Sequence, residues 1–157
     1  RFLAAKASLD LAEPVRERFQ VLKLNQPLAA SMKIKRAVME EVIEAYTSAA
    51  DYGVAEVTTA ATFRLGEVYE QLSADLMASE RPADLDAEAL EQYEILLEEQ
   101  AFPFEEKAID LYKANTDRTI DGVYDEWVRR SFDRLAGLMP ARYAKAERSE
   151  DVVTSLY

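Results

Sequence analysis

Cysteine and histidine are both absent from the 157 residues. Without cysteine there are no disulfides and no thiolate-bound metals, and the chain suits a reducing or an oxidising compartment equally. Without histidine the commonest general base and transition-metal ligand is missing. Glycine and proline are scarce, 4 and 5 residues, too few for the many turns of a sandwich or barrel. Neither a Gly-x-Ser-x-Gly elbow nor a glycine-rich phosphate loop occurs. No stretch approaches the roughly 20 consecutive apolar residues of a membrane span, so direct insertion is not expected. Positive charge is in deficit, 19 Lys and Arg against 30 Asp and Glu, and a net charge of −11 repels phosphate backbones and anionic lipid. Nucleic acid is therefore an unsuitable partner. A basic or apolar protein surface fits better.

What remains is a helix-forming composition, with 49% hydrophobic and 31% charged residues, in a length that fits one domain over 1–157. The chain starts at Arg1 without Met, which reads as a piece of a longer protein. Helical spacing of apolar residues divides it into five segments. The first, Phe2 to Leu24, carries Ala12, Val15, Phe19 and Leu22, with Pro14 expected to kink or break it. The second, Leu28 to Tyr52, has two adjacent stripes, Val38-Val42-Ala45-Ala49 and Met39-Ile43-Tyr46-Ala50, so more than one neighbour should cover it. Gly53 follows in a C-cap position. The third, Ala55 to Ser79, keeps Val57, Ala61, Leu65, Val68, Leu72 and Leu76 in phase. The fourth opens at the N-cap Asp86 and holds one face from Leu90 to Leu111 through Pro103, so one continuous kinked helix is expected. The fifth, Ile120 to Met139, turns Tyr124, Trp127, Ser131, Leu135 and Leu138 inward, and Pro140 stops it. A short capping helix is expected beyond.

The segments repeat. At an offset of 66, Glu40, Ile43 and Tyr46 meet Glu106, Ile109 and Tyr112 identically. The same offset carries Ala61, Leu65, Tyr69 and Leu72 onto Trp127, Ser131, Leu135 and Leu138. Recurrence of a helix pair marks a helical repeat array.

At these residues the chain resembles the tetratricopeptide repeat family. Leu65-Gly66 followed by Tyr69 matches the first helix of that repeat, and Ala108 with Tyr112 matches the second. Trp127 with the small Ser131 resembles the next first helix. The segments Gly53 to Tyr69, Leu96 to Gln100 and Trp127 to Tyr143 also resemble the C-terminal parts of large bacterial envelope proteins of the family, which implies a periplasmic or envelope setting rather than a cytoplasmic one. The pairs here are longer than the family's, Thr62 stands where a large residue is preferred, and Arg134 where an aromatic is. The resemblance implies an all-α fold, a right-handed antiparallel array of about five long helices. It implies protein–protein interaction as the function, without catalysis, cofactor or metal. The rival readings are a self-associating structural segment, with homo-oligomers as its product, and a helical-bundle enzyme.

Two sets of residues are candidates for a site. Glu88, Glu91, Glu94, Glu98, Glu99, Glu105 and Glu106 crowd the fourth segment. A solvated helix face, a docking surface for a basic partner and a carboxylate metal site are the three readings; helical-bundle metal sites pair Glu with His, which argues against the last. By the resemblance, the ligand-facing positions of the first helices are Phe63, Glu67 and Glu70 in the third segment and Asp125, Val128 and Phe132 in the fifth. Together these would favour a peptide offering apolar side chains and Lys or Arg.

Overall fold

The computed structural model describes residues 1–144, which are helical without any strand. Helices α1 (Phe2–Val21), α2 (Leu28–Ala50), α3 (Ala55–Met77) and α4 (Ala87–Asp117) are long. A 3-10 turn (Arg118–Asp121) leads to α5 (Glu126–Leu138) and the single turn α6 (Pro140–Tyr143). The sequence spacing predicts five long helices, but α5 has only 13 residues. The difference lies before it. Asp125 accepts a hydrogen bond from the Val128 amide at 2.9 Å and starts the helix there, so Tyr124, expected inward, stands exposed outside it. The capping helix expected after Pro140 is α6 in its first turn, and the rest of the tail lies outside the described residues.

Both internal prolines sit in unbroken helices. Pro14 does not break α1: it and Asp10, whose carbonyl loses its partner, are on the exposed side of the helix, where losing that bond costs least. The same holds for Pro103 and Glu99 in α4. Asp86 caps α4 by accepting from the Ala89 amide at 2.8 Å. Gly53 ends α2 with φ +64, a conformation that costs glycine nothing.

Each helix packs on the next, and α1 and α5 also touch α3. The odd-numbered helices thus form one layer, with α2 and α4 in another. One core joins Ala12 and Phe19 of α1, Met39, Val42 and Tyr46 of α2, and Ala61, Val68 and Leu72 of α3. A second joins Phe63, Ala108, Tyr112 and Leu135 of α3, α4 and α5. The buried Asn115 ties the same three helices, donating to the Thr59 carbonyl at 2.9 Å and the Ser131 hydroxyl at 3.1 Å.

Gly66 fixes how closely α3 and α4 approach. A Cβ there would stand 2.6 Å from Cε1 of Tyr112. A second constraint is Lys35, fully buried on α2. Its ammonium donates to the Leu22 carbonyl at 2.6 Å and Asp75 at 2.5 Å, and lies 4.4 Å from the Phe19 ring centre. The buried cation therefore joins α1, α2 and α3.

Two expectations follow. Gly66→Ala should destabilise the protein by about 1–3 kcal/mol through overpacking. In a Tyr112→Leu background the same change should stabilise by roughly 0.5–1 kcal/mol, the ordinary helical advantage of alanine over glycine. Denaturant titration of the four proteins measures this sign reversal; equal effects in both backgrounds would refute the contact. Asp75→Ala, which strands the Lys35 cation, should cost on the order of 2–3 kcal/mol and exceed the cost of Lys35→Met in the same assay. The figure stays at the low end because Asp75 is partly solvated.

Candidate functional site

The layer of α1, α3 and α5 presents a continuous polar face. Glu13 and Arg16 lie one turn apart on α1, Arg64, Glu67 and Glu70 follow on α3, and Trp127, Arg130 and Arg134 continue on α5. Helical spacing of three and four residues keeps each set on one side of its helix. Ion pairs then link the helices laterally. Glu13 pairs with Arg16 at 2.7 Å and with Arg64 of α3 at 3.4 Å. Glu67 pairs with Arg64 at 2.7 Å and with Arg130 of α5 at 3.9 Å. Glu70 pairs with Arg134 of α5 through both carboxylate oxygens.

Trp127 sits among these charges. Its ring centre is 5.5 Å from that of Phe63, and the Arg64 and Arg130 guanidiniums stand 5.1 and 4.9 Å from it. Cations over an indole face are attracted to its quadrupole. Two clefts open here. One, of about 330 Å³, is lined by Leu9, Asp10, Glu13, Ala60, Arg64 and Trp127. The other, of about 250 Å³, is lined by Gln20, Glu67, Glu70, Gln71, Ala74 and Arg134. Each cleft takes residues from α1, α3 and α5, so neither exists before the layer has assembled. Larger hollows lie elsewhere, including one of about 730 Å³ against α2 and α4, but they join fewer elements of the odd layer.

The even layer anchors this face by the same contact made twice. Tyr46 of α2 donates its hydroxyl proton to Glu13 at 2.7 Å, and Tyr112 of α4 donates to Glu70 at 2.7 Å. Burial first, and then the adjacent carboxylate, raise both phenols well above their ordinary value, since a phenolate would face a second negative charge. Burial by itself would raise the Glu13 carboxyl. Hydrogen bonds from Tyr46 and Arg16, with the charges of Arg16 and Arg64, outweigh it and hold the carboxyl below its usual value. Burial likewise opposes the charged form of Arg134 and of Arg16, but their carboxylate partners prevail and raise both.

The structure divides the six positions that the resemblance selects. Glu67 and Glu70 line the second cleft. Phe63 is only 1% exposed and packs against Tyr112 and Trp127, so it is core and not a surface anchor. Val128 is wholly buried. Asp125 is occupied as the cap of α5 and accepts a further bond from the Thr59 hydroxyl at 2.5 Å. Phe132 is half-buried and lies two residues from both Arg130 and Arg134, about 200° around the helix from them. It therefore turns to the side of Val128 and Leu135. The α5 residues on the face are Trp127, Arg130 and Arg134. The register is set by Asp125, whose capping role fixes where the helix begins.

Sequence reasoning also passes over Lys35 and Glu13. Lys35 had a signal: it stands four residues before Met39 and seven before Val42, in phase with the buried side of α2. Glu13 had none at the offset of 66, because α4 runs farther before Tyr112 than α2 does before Tyr46, and the connection before α4 is also longer. Glu13 precedes its tyrosine by 33 residues and Glu70 by 42. On α4, Glu94 pairs with Arg81 at 3.5 Å, and no three acidic side chains among the described residues are clustered as a metal site would need. No helix among the described residues is long and apolar enough to cross a membrane. No protein-family model matches the chain, and neither a curated protein nor a solved structure does.

The proton linkages give a test. The Glu13 contribution is present above the unfolded carboxyl value of about 4.3 and lost as pH falls through the lower folded value. The phenol contributions are present below about pH 10 and lost as pH rises through the raised folded values. Stability measured by denaturant should therefore fall above pH 10. Tyr46→Phe and Tyr112→Phe should each cost about 1.5–3 kcal/mol at neutral pH and flatten that alkaline limb. Glu13→Gln should flatten the acid limb. A Tyr46→Phe protein with an unchanged alkaline slope would show that the phenol is not coupled to Glu13.

Proposed function

We propose that the chain is a protein-interaction module of the tetratricopeptide-like helical-repeat kind, acting by binding and not by catalysis. The observation that carries this reading is the pair of clefts on the shared face of α1, α3 and α5. A surface built across several helices suits an extended or helical segment better than a small molecule. Kinship with the repeat family is supported by the Gly66–Tyr112 approach beside Ala108, and by the tyrosine-to-carboxylate contact made in both helix pairs.

The partner's chemistry follows from the lining. The first cleft offers the indole of Trp127 and the side chain of Leu9. It receives an apolar side chain. The second is lined by Glu67, Glu70 and Arg134 and receives Lys or Arg beside the two carboxylates. With Arg16 and Arg130, which pair with Glu13 and Glu67, four carboxylates meet four guanidiniums on this face, so a basic segment is held by local exchange of ion-pair partners and not by net charge. Because most of these charges are paired already, they set orientation and partner choice more than affinity.

A photo-crosslinking amino acid at Gln71, on the face, should capture a partner protein, whereas the same group at Glu44, on the exposed side of α2, should not. Ala74→Arg fills the second cleft with a cation without touching the core, and should weaken capture by roughly tenfold or more at unchanged thermal midpoint. Equal crosslinking from both positions would place the binding surface elsewhere. Crosslinks only to further copies of the chain would replace this reading with self-association.

A further inference from the structure

Helix α4 is far longer than the helix that packs on it. At 1.5 Å per residue its 31 residues span roughly 46 Å, against about 20 Å for the 13 residues of α5. The mismatch is visible along one stripe. Ile95, Phe102, Ile109 and Thr116 recur every seven residues and so fall in one stripe that drifts about 20° per step around the helix. Thr116 is buried and Ile109 half-buried, the latter packed against the cluster that holds Ala108 and Tyr112 of α4 and Leu135 of α5. Phe102 and Ile95, farther toward the N-terminus, are 59% and 50% exposed. The stripe that α5 covers therefore runs on past the end of α5, uncovered among the described residues. Leu96 widens it at 54% exposure.

The borders of the open half carry one sign of charge. From Ala87 to Glu106 the helix holds seven glutamates and no Lys or Arg. Among the described residues only Glu94 of these has an ion-pair partner. Burying Ile95 and Phe102 against another acidic surface would bring unneutralised carboxylates together, which costs free energy.

We propose that the N-terminal half of α4 docks a basic amphipathic helix of a partner protein, laid along the stripe where a longer α5 would lie. Its apolar side chains cover Ile95, Leu96 and Phe102, and its Lys and Arg meet Glu91, Glu98 and Glu99. The charge selects this occupant over two others. The segment 145–157 carries Lys145 and Arg148 against Glu147, Glu150 and Asp151, and a second copy of the chain carries a net charge of −11. The surface lies on α4, apart from the face of α1, α3 and α5, and stands or falls independently of it.

The probe is a labelled peptide of about 18 residues, roughly 27 Å as a helix, with Leu at heptad spacing and Lys on the flanks. Fluorescence anisotropy with the full chain should show binding that weakens with salt. A permuted peptide of the same composition should bind roughly tenfold or more weakly, and so should the Ile95→Ser/Phe102→Ser protein. Both replaced side chains are half-exposed, so circular dichroism should show the fold retained; Glu98→Lys/Glu99→Lys, which leaves the apolar residues in place, should lose binding as well. Equal affinity for the permuted peptide, or no loss in the serine protein, overturns the proposal and leaves a solvated acidic helix. Two other results also overturn it: a gain of roughly tenfold in affinity on removing 145–157, which makes that segment the occupant, or self-association in sedimentation that the serine substitutions abolish, which makes it a second copy.

Discussion

At Gly66 the backbone of α3 and the ring of Tyr112 lie too close for even one added carbon. The rest of the structure is arranged around that approach, because α3 is the helix that touches α1, α2, α4 and α5. Bringing α4 in at that distance places Tyr112 over α3 with its hydroxyl on Glu70. Glu70 then receives Arg134 from α5. A missing side chain on the central helix is thus translated, through one phenol and one carboxylate, into the position of a helix on the far side.

The first pair uses the same components with a different spacer. Ala12 and Phe19 of α1 pack on Met39, Val42 and Tyr46 of α2, and the Tyr46 hydroxyl reaches Glu13 as the Tyr112 hydroxyl reaches Glu70. Each carboxylate also receives a guanidinium from the next odd helix, Arg64 for Glu13 and Arg134 for Glu70. The polar face is therefore part of the packing. Half-burial of these groups raises the cost of leaving any of them unpaired. The open half of α4 is the opposite case, with apolar side chains in solvent and, among the described residues, an ion-pair partner for Glu94 alone of its seven glutamates.

The helices were legible because apolar spacing, Asp86, Gly53 and the scarcity of turn residues all point the same way. Their ends were legible where a cap marks them and not elsewhere: Ile120 to Asp125 carries helical spacing but lies outside α5. The matching tyrosines of α2 and α4 were legible, because they fall at one offset. Their carboxylate partners on α1 and α3 were not, because α4 runs farther before its tyrosine than α2 does, which shifts Glu13 out of phase with Glu70. Within the site, Glu67 and Glu70 were among the positions that the family resemblance selects. Trp127, Arg64 and Arg134 could not be joined to them, since nothing local says which helices share a layer.

By itself the sequence determined that this chain is helical, where its long helices run, which side of each is apolar, and that its acidic charge gathers on α4. Those properties follow from neighbours a few residues apart, and local spacing and capping decide them. Tertiary structure alone decided that Phe63 is core and Trp127 borders a cleft, that Lys35 is enclosed, and that α5 ends before it has covered α4. Each of these depends on the distance between helices and on how far one extends past another, quantities set by side chains from separate segments meeting in space.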